Sequence, residues 1–311
     1  MLLAYFVHAY VWQGLWREIM PTALVLSGGG PLAVAWECGL VAGLARAGLA
    51  VNSTDFILGT SAGAIVGAQL AAGRNPEEMA NAIIAEINGV PPPGAMPHYP
   101  IAAVMKLPDL FALSQTGEAG RVEVGSYALS VSMTETETAY VDRMKLAIGI
   151  DDWPDQDIGL VAVDIADGKP RMLRRECGAT IAAAVAASCC LPGLSPPVTI
   201  SGRHYMDGGM RSTANADLAS GFDSILVLCF HPPGQPGERM LIRLATQTEP
   251  LIKGGARVCV ISPDEASLAA IGPRTMDVVR RPEVACAALA QAAAAVDTVA
   301  RFREDTRQQA R

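Results

Sequence analysis

Aromatic residues make up only 5% of the 311-residue chain and charged residues only 18%, and acidic groups outnumber basic ones, 31 against 24. The net charge of -7 excludes a nucleic-acid partner, because phosphate binding needs a basic surface that releases counterions. The short basic stretch from Arg171 to Arg175 does not reverse that balance. Cysteine is scarce and odd in number, seven residues with neither a CxxC nor a Cys/His zinc spacing, which excludes a disulfide scaffold and leaves no metal site to expect. The cysteines read as buried thiols of a reducing compartment, hence a cytoplasmic protein. Histidine is rarer still, at His8, His98, His204 and His231. Any chemistry that needs an imidazole must use one of these four.

Hydrophobic residues are abundant, 50% of the chain, enough for one sizeable core. Residues 1–20 differ from the rest, because Leu2 to Trp16 is apolar and aromatic with only His8 and Gln13 as interruptions. A spanning helix needs roughly 20 apolar residues, and a signal peptide a positive start and a small-residue cleavage site. Neither is clear, so two readings stay open: an over-extended start ahead of Met20, or an interfacial membrane anchor.

Residues 21–311 read as a single domain. Ala23 to Leu26 is a short apolar run, followed by Ser27-Gly28-Gly29-Gly30 and a helical stretch from Ala33 to Ala47. Phe56 to Leu58 repeats the pattern, with Gly59-Thr60-Ser61-Ala62-Gly63 and a helix through Ala71. Apolar runs at Ile158–Val163, Ser224–Phe230 and Arg257–Ile261 alternate with helical segments at Ala179–Ala187, Glu238–Lys253 and Glu283–Phe302. This alternation predicts an α/β fold with a mainly parallel central sheet and helices on both faces. A proline-rich insertion near 89–108 breaks the rhythm, either as a stiffened connection or as a lid over an acyl-binding wall.

Gly59 to Gly63 fits the GxSxG nucleophile elbow, in which a sharp strand-to-helix turn forces the serine into strained geometry and the glycines leave room for it. Ser61 is the candidate nucleophile. At a helix N-terminus, the Ala62 amide and the helix dipole can stabilise developing negative charge. Gly28, Gly29 and Gly30 place further amides where ligands collect at the ends of parallel strands, a candidate oxyanion hole. The same glycines with Ala33 satisfy GxGxxA, a dinucleotide turn. That reading needs an acidic residue at the end of the second strand, whereas Asp55 precedes the strand and the serine turn occupies its end. Asp207-Gly208-Gly209 alone is only a turn signal.

Together, the triple-glycine loop, GxSxG, the segment Ala186-Ala187-Ser188-Cys189-Cys190-Leu191-Pro192-Gly193 and the distant Asp207-Gly208-Gly209 resemble the patatin-like phospholipase family over roughly Thr22 to Ile261. The resemblance implies a three-layer α/β/α fold and a Ser/Asp dyad, with Ser61 as nucleophile and Asp207 as general base. It also implies an acyl-ester or lipid substrate, no cofactor and contact with a membrane surface. Many members carry a basic residue soon after the glycines, where this chain has Pro31-Leu32-Ala33, which weakens the expectation of a phosphate-bearing head group.

Two alternatives remain. A Ser/His/Asp triad would use His231, which follows the Ser224–Phe230 run with Asp207 upstream. A non-catalytic lipid-binding protein would keep the pocket without turnover. Asn215, Asp164 and Asp217 are explained by capping or strand-end roles and are left outside the site.

Overall fold

The computed structural model describes residues 21–86 and 101–309. Residues 1–20, the proline cluster at 91–100, His8 and His98 lie outside the described residues.

The chain opens with β1 (Thr22–Leu26), α1 (Gly30–Arg46), β2 (Phe56–Thr60) and α2 (Ala62–Ala71), the two strand–turn–helix units expected from the sequence. A helical stretch follows: α3 (Pro76–Ile84), α4 (Ile101–Ser114), α5 (Glu118–Ser130) and α6 (Glu137–Ile148). Next come β3 (Asp157–Asp164), β4 (Pro170–Leu173), α7 (Ile181–Cys189), β5 (Val198–Ile200) and β6 (Arg203–Asp207). The chain finishes with β7 (Ser224–Leu228), α8 (Gln235–Lys253), β8 (Arg257–Ile261), α9 (Glu265–Ile271) and α10 (Arg281–Gln309).

Among the described residues, the strands form one eight-stranded sheet of order β5-β6-β3-β2-β1-β7-β8, with β4 paired to β3. Strands β3, β2, β1, β7 and β8 run parallel. Strands β4, β5 and β6 pair antiparallel at one side, so the sheet is parallel in its centre and mixed at that edge. Period-two alternation within the strands sends Leu24, Leu26, Ile57, Leu160, Leu226 and Leu228 to one face, where they meet α1, α2, α7 and α10. Ala23, Val25, Leu58, Val161, Ile225 and Val227 go to the other face, against α8 and a short 3-10 segment, Ala216–Ala219. Full burial on both faces makes these strands continuous apolar runs, and each large side chain so buried stabilises the fold by roughly 1.5–3 kcal/mol.

By length and composition α10 could cross a membrane. Its small residues Val284, Ala285, Ala288, Ala292, Ala295 and Val299 recur at helical spacing and are buried in the core shared with α1, which makes it a core helix. Inside that core Trp36 donates through Nε1 to Gln291 at 2.9 Å, so the largest aromatic keeps its polar atom paired.

Of the insertion expected near 89–108, only residues 101–108 are described, and they belong to a helix. Ile101–Ser114 is helical and carries Pro108 within it. Leu107, Val104, Leu110 and Phe111 recur at helical spacing and pack with Val163, Met206 and Met210, so burial of this face outweighs the hydrogen bond that proline removes.

Candidate active site

Sheet register brings the candidate residues together. Thr60 on β2 pairs with Val161 on β3, and the next β3 residue, Ala162, pairs with Asp207 on β6. Ser61, one step past Thr60, is therefore level with Asp207 across a single strand. Ser61 Oγ donates to Asp207 Oδ2 at 2.7 Å, and Gly209 N–H donates to Oδ1, also at 2.7 Å. Asp207 is 1% exposed, and burial lifts its carboxyl from the usual carboxylate range to about 7, against the opposing hydrogen bonds from Ser61 and Gly209.

Ser61 caps α2 with φ 53° and ψ -116°, a strained conformation for a residue with a side chain. The elbow demands its glycines by close approach: a Cβ at Gly63 would lie 2.2 Å from the Leu26 carbonyl oxygen, and one at Gly59 would lie 2.6 Å from that of Gly63. Ser188 supports the turn from behind, accepting from Ser61 N–H at 2.9 Å and donating to the Val161 carbonyl at 2.6 Å. The Ala186–Gly193 segment thus contributes a partner to the candidate nucleophile's own backbone. A serine flanked by alanines and cysteines on an apolar helix gave no chemical signal of that role.

The four amides expected to form an oxyanion hole do not all remain available. Gly28 is corrected: its N–H is spent on the Thr213 carbonyl at 2.8 Å. Gly30 and Ala62 are the first residues of α1 and α2, where N–H groups lack intrahelical acceptors, and Gly29 caps α1. Gly29, Gly30 and Ala62 therefore carry amides free to meet an anion. Gly208 and Gly209 form a tight 3-10 turn after Asp207, in which Gly208 abuts the Val161 carbonyl.

The dinucleotide reading finds no support, because Asp55 is bonded to Thr22 at the opposite end of β2 from the glycine loop. His231 shares a hydrogen bond of 2.9 Å between Nδ1 and the Pro232 carbonyl at the start of the α8 segment, while both Asp207 oxygens are taken by Ser61 and Gly209. His204 instead sits on β6 beside Thr199. Asp164 has the expected strand-end role, paired with Arg203 and Arg171 and accepting from Ala166 N–H.

A cavity of about 410 Å³ opens at Ser61 and runs between α1, α2, α3 and α6, with Val34, Ile65, Met79, Ile83 and Met144 as apolar lining. Its wall holds a part-buried ion pair, in which Arg281 grips Glu86 through Nε and Nη2 at 2.9 Å each and also donates to the Pro31 carbonyl. Arg281 comes from the start of α10, about 250 residues from Pro31 in sequence, and motif reading gives no sign of it. No group of His, Cys, Asp or Glu among the described residues could hold a metal.

A family model for patatin-like phospholipases matches residues 24–90 and 149–220. Over these two blocks the chain is similar to the patatin-like phospholipases. The two matched blocks carry the glycine loop, the elbow and the Asp207 turn of this patatin-like protein, and α4, α5 and α6 lie between them. Members of the family are lipid acyl hydrolases. No curated protein sequence matches the chain significantly. Among solved structures, VipD from Legionella pneumophila is similar over 90% of this chain and 67% of its own, at 13% identity and a TM-score of 0.46. Full-length ExoU from Pseudomonas aeruginosa, solved with SpcU, is similar over 88% of this chain and 53% of its own, at 16% identity and a TM-score of 0.31. The chain spans about half the length of the ExoU chain.

Proposed function

We propose that this patatin-like protein hydrolyses carboxylic esters of lipids through a Ser61 and Asp207 dyad. The observation that carries the reading is the 2.7 Å hydrogen bond from a strained serine to a buried carboxylate. With its pKa raised to about 7, Asp207 is a far better base than an exposed carboxylate, matched to neutral pH.

Ser61 Oγ attacks the acyl carbonyl carbon while its proton passes to Asp207. The carbonyl oxygen becomes an oxyanion that accepts from the amides of Gly29, Gly30 and Ala62, each such donor being worth roughly 3 kcal/mol. Collapse expels the alcohol or lysolipid oxygen, which takes the proton from Asp207 and leaves Ser61 acylated. Water then attacks the ester carbon, gives a proton to Asp207, and the second collapse returns that proton to Ser61 Oγ with release of the fatty acid. The cavity beside Ser61 falls at the small end of ligand pockets, about 300–1,000 Å³, a size that suits one acyl chain.

Peripheral contact with a lipid surface is part of the proposal. Ile101 and Met105 on α4 are 81% and 70% exposed, on the helix whose Phe111 approaches Gly209. A cytoplasmic location is supported by the free thiols of Cys38, Cys177, Cys189, Cys190, Cys229, Cys259 and Cys286.

Turnover of p-nitrophenyl acyl esters tests the dyad. Ser61→Ala and Asp207→Ala abolish it; full activity in either variant refutes the assignment. Retained binding of fatty acid without turnover by the wild type would favour a lipid-binding protein instead.

A further inference from the structure

The loop Ser212–Asn215 touches all three motifs of the site. Thr213 accepts from Gly28 of the glycine loop through its carbonyl. Asn215 Nδ2 donates to Thr60 Oγ1 at 3.1 Å, to the Gly208 carbonyl at 3.2 Å and to the Ser212 carbonyl at 2.6 Å. Thr60 precedes the nucleophile, and Gly208 follows Asp207. Asn215 is fully buried and holds φ 49°, one of three non-glycine residues at positive φ among the described residues, of which another is Ser61 itself.

The orientation of this amide is set from outside. Arg211 Nη1 donates to Asn215 Oδ1 at 2.9 Å, and Asp217 binds Arg211 in bidentate fashion at 2.9 and 2.5 Å. With its oxygen committed to a cation, the amide can turn only its N–H groups toward Thr60 and Gly208. Simple capping needs neither the arginine nor two acceptors drawn from two different motifs.

We infer that Asn215, oriented by Arg211 and Asp217, is a positioning residue that fixes the separation of nucleophile and base by tying the backbone on either side of them together. It touches neither substrate nor the reacting atoms. Its action is to hold Thr60 and Gly208 in one geometry, and an error of about 1 Å in such a geometry can cost 100-fold in rate. The inference rests on the dyad reading above.

The test uses three variants of the full chain and a short soluble ester. Asn215→Gly keeps the left-handed backbone without strain and removes only the amide, while Asn215→Asp keeps the shape and the acceptor for Arg211 but removes both donors. Thr60→Val deletes one acceptor without changing size. Expected is a fall in kcat of about 10- to 100-fold in both Asn215 variants, with KM within about twofold and the circular dichroism of the fold retained. Thr60→Val lowers kcat less, and combined with Asn215→Gly it adds less than its own effect, because both remove one contact. Wild-type kcat in Asn215→Gly alongside a lowered Tm overturns the inference, and so do strictly additive effects. If Asn215→Gly fails to fold, Thr60→Val decides alone, and unchanged kcat there is contrary. Activity surviving in Ser61→Ala would instead refute the dyad itself, whereas a dead Ser61→Ala beside a fully active Asn215→Gly refutes only the positioning role.

Discussion

Ser61 Oγ and Asp207 Oδ2 stand 2.7 Å apart, joined across β3 although 146 residues separate them in sequence. With burial lifting Asp207 to about 7, the carboxylate proposed to accept the serine proton is only half formed at neutral pH. The kcat/KM of ester hydrolysis therefore rises with pH along a single acid limb with a midpoint near 7, and a limb below pH 5 would show that Asp207 is not the base.

The same burial makes the base costly to the fold. Across the window from about pH 4 to 7, the folded chain retains a proton that the unfolded chain has released, so this group's contribution to stability falls as pH rises and its cost is complete above 7. Asp207→Asn keeps the acceptor for Gly209 N–H and carries no charge. It raises stability at pH 8 by about 2–4 kcal/mol, seen as a higher Tm, and leaves Tm at pH 4 near wild type. Thermal scans at the two pH values check this.

Much of this geometry was legible in the sequence. Two strand–glycine–helix units announced themselves because parallel strands buried on both faces are uninterrupted apolar runs and the turns between them are glycine. Gly59 and Gly63 could be read because each stands where a Cβ would strike backbone. Asp207 could be found only through its company. What places it opposite Ser61 is the antiparallel register of β6, and register leaves no mark in a five-residue strand. Gly28 was misassigned because a glycine's amide can as easily serve the loop as the substrate, and its acceptor, Thr213, is nearly 200 residues distant. Asn215 read as a cap because a local role is all that spacing can propose. Arg281 was silent because its partners Glu86 and Pro31 come from the other end of the chain.

The proposed dyad leaves His231 outside the reaction. Its ring is held by Pro232 and it does not bond to Asp207. His231→Ala leaves kcat within about threefold of wild type, a residual packing effect far short of the loss of a general base, typically 100-fold or more. Steady-state kinetics on a p-nitrophenyl ester provide the check.

Ile65 follows Ser61 by one helical turn and lines the cavity. Ile65→Trp narrows the chamber where an acyl chain would leave the serine. It lowers kcat/KM for dodecanoyl esters at least about 10-fold more than for acetyl esters, the scale of discrimination open to an apolar pocket. A uniform loss across chain lengths would place the acyl chain elsewhere.

Glu37 is buried in α1 with both carboxyl oxygens unpaired, and burial holds its pKa well above the ordinary carboxylate range despite the nearby backbone of Ser27. It is a stored cost to the fold that rises with pH in the same sense as Asp207. Glu37→Met fills the same volume without a polar group. It raises the urea midpoint at pH 8 by the equivalent of about 1–3 kcal/mol, with activity retained. A lower midpoint would mean that the carboxyl is paired in solution.

The most direct measurement of the central claim is covalent labelling by a fluorophosphonate probe, followed by mapping of the modified peptide. The dyad predicts a single adduct on Ser61, formed more slowly in Asp207→Asn and at the wild-type rate in His231→Ala. An adduct on another serine, or labelling abolished by His231→Ala, would contradict it.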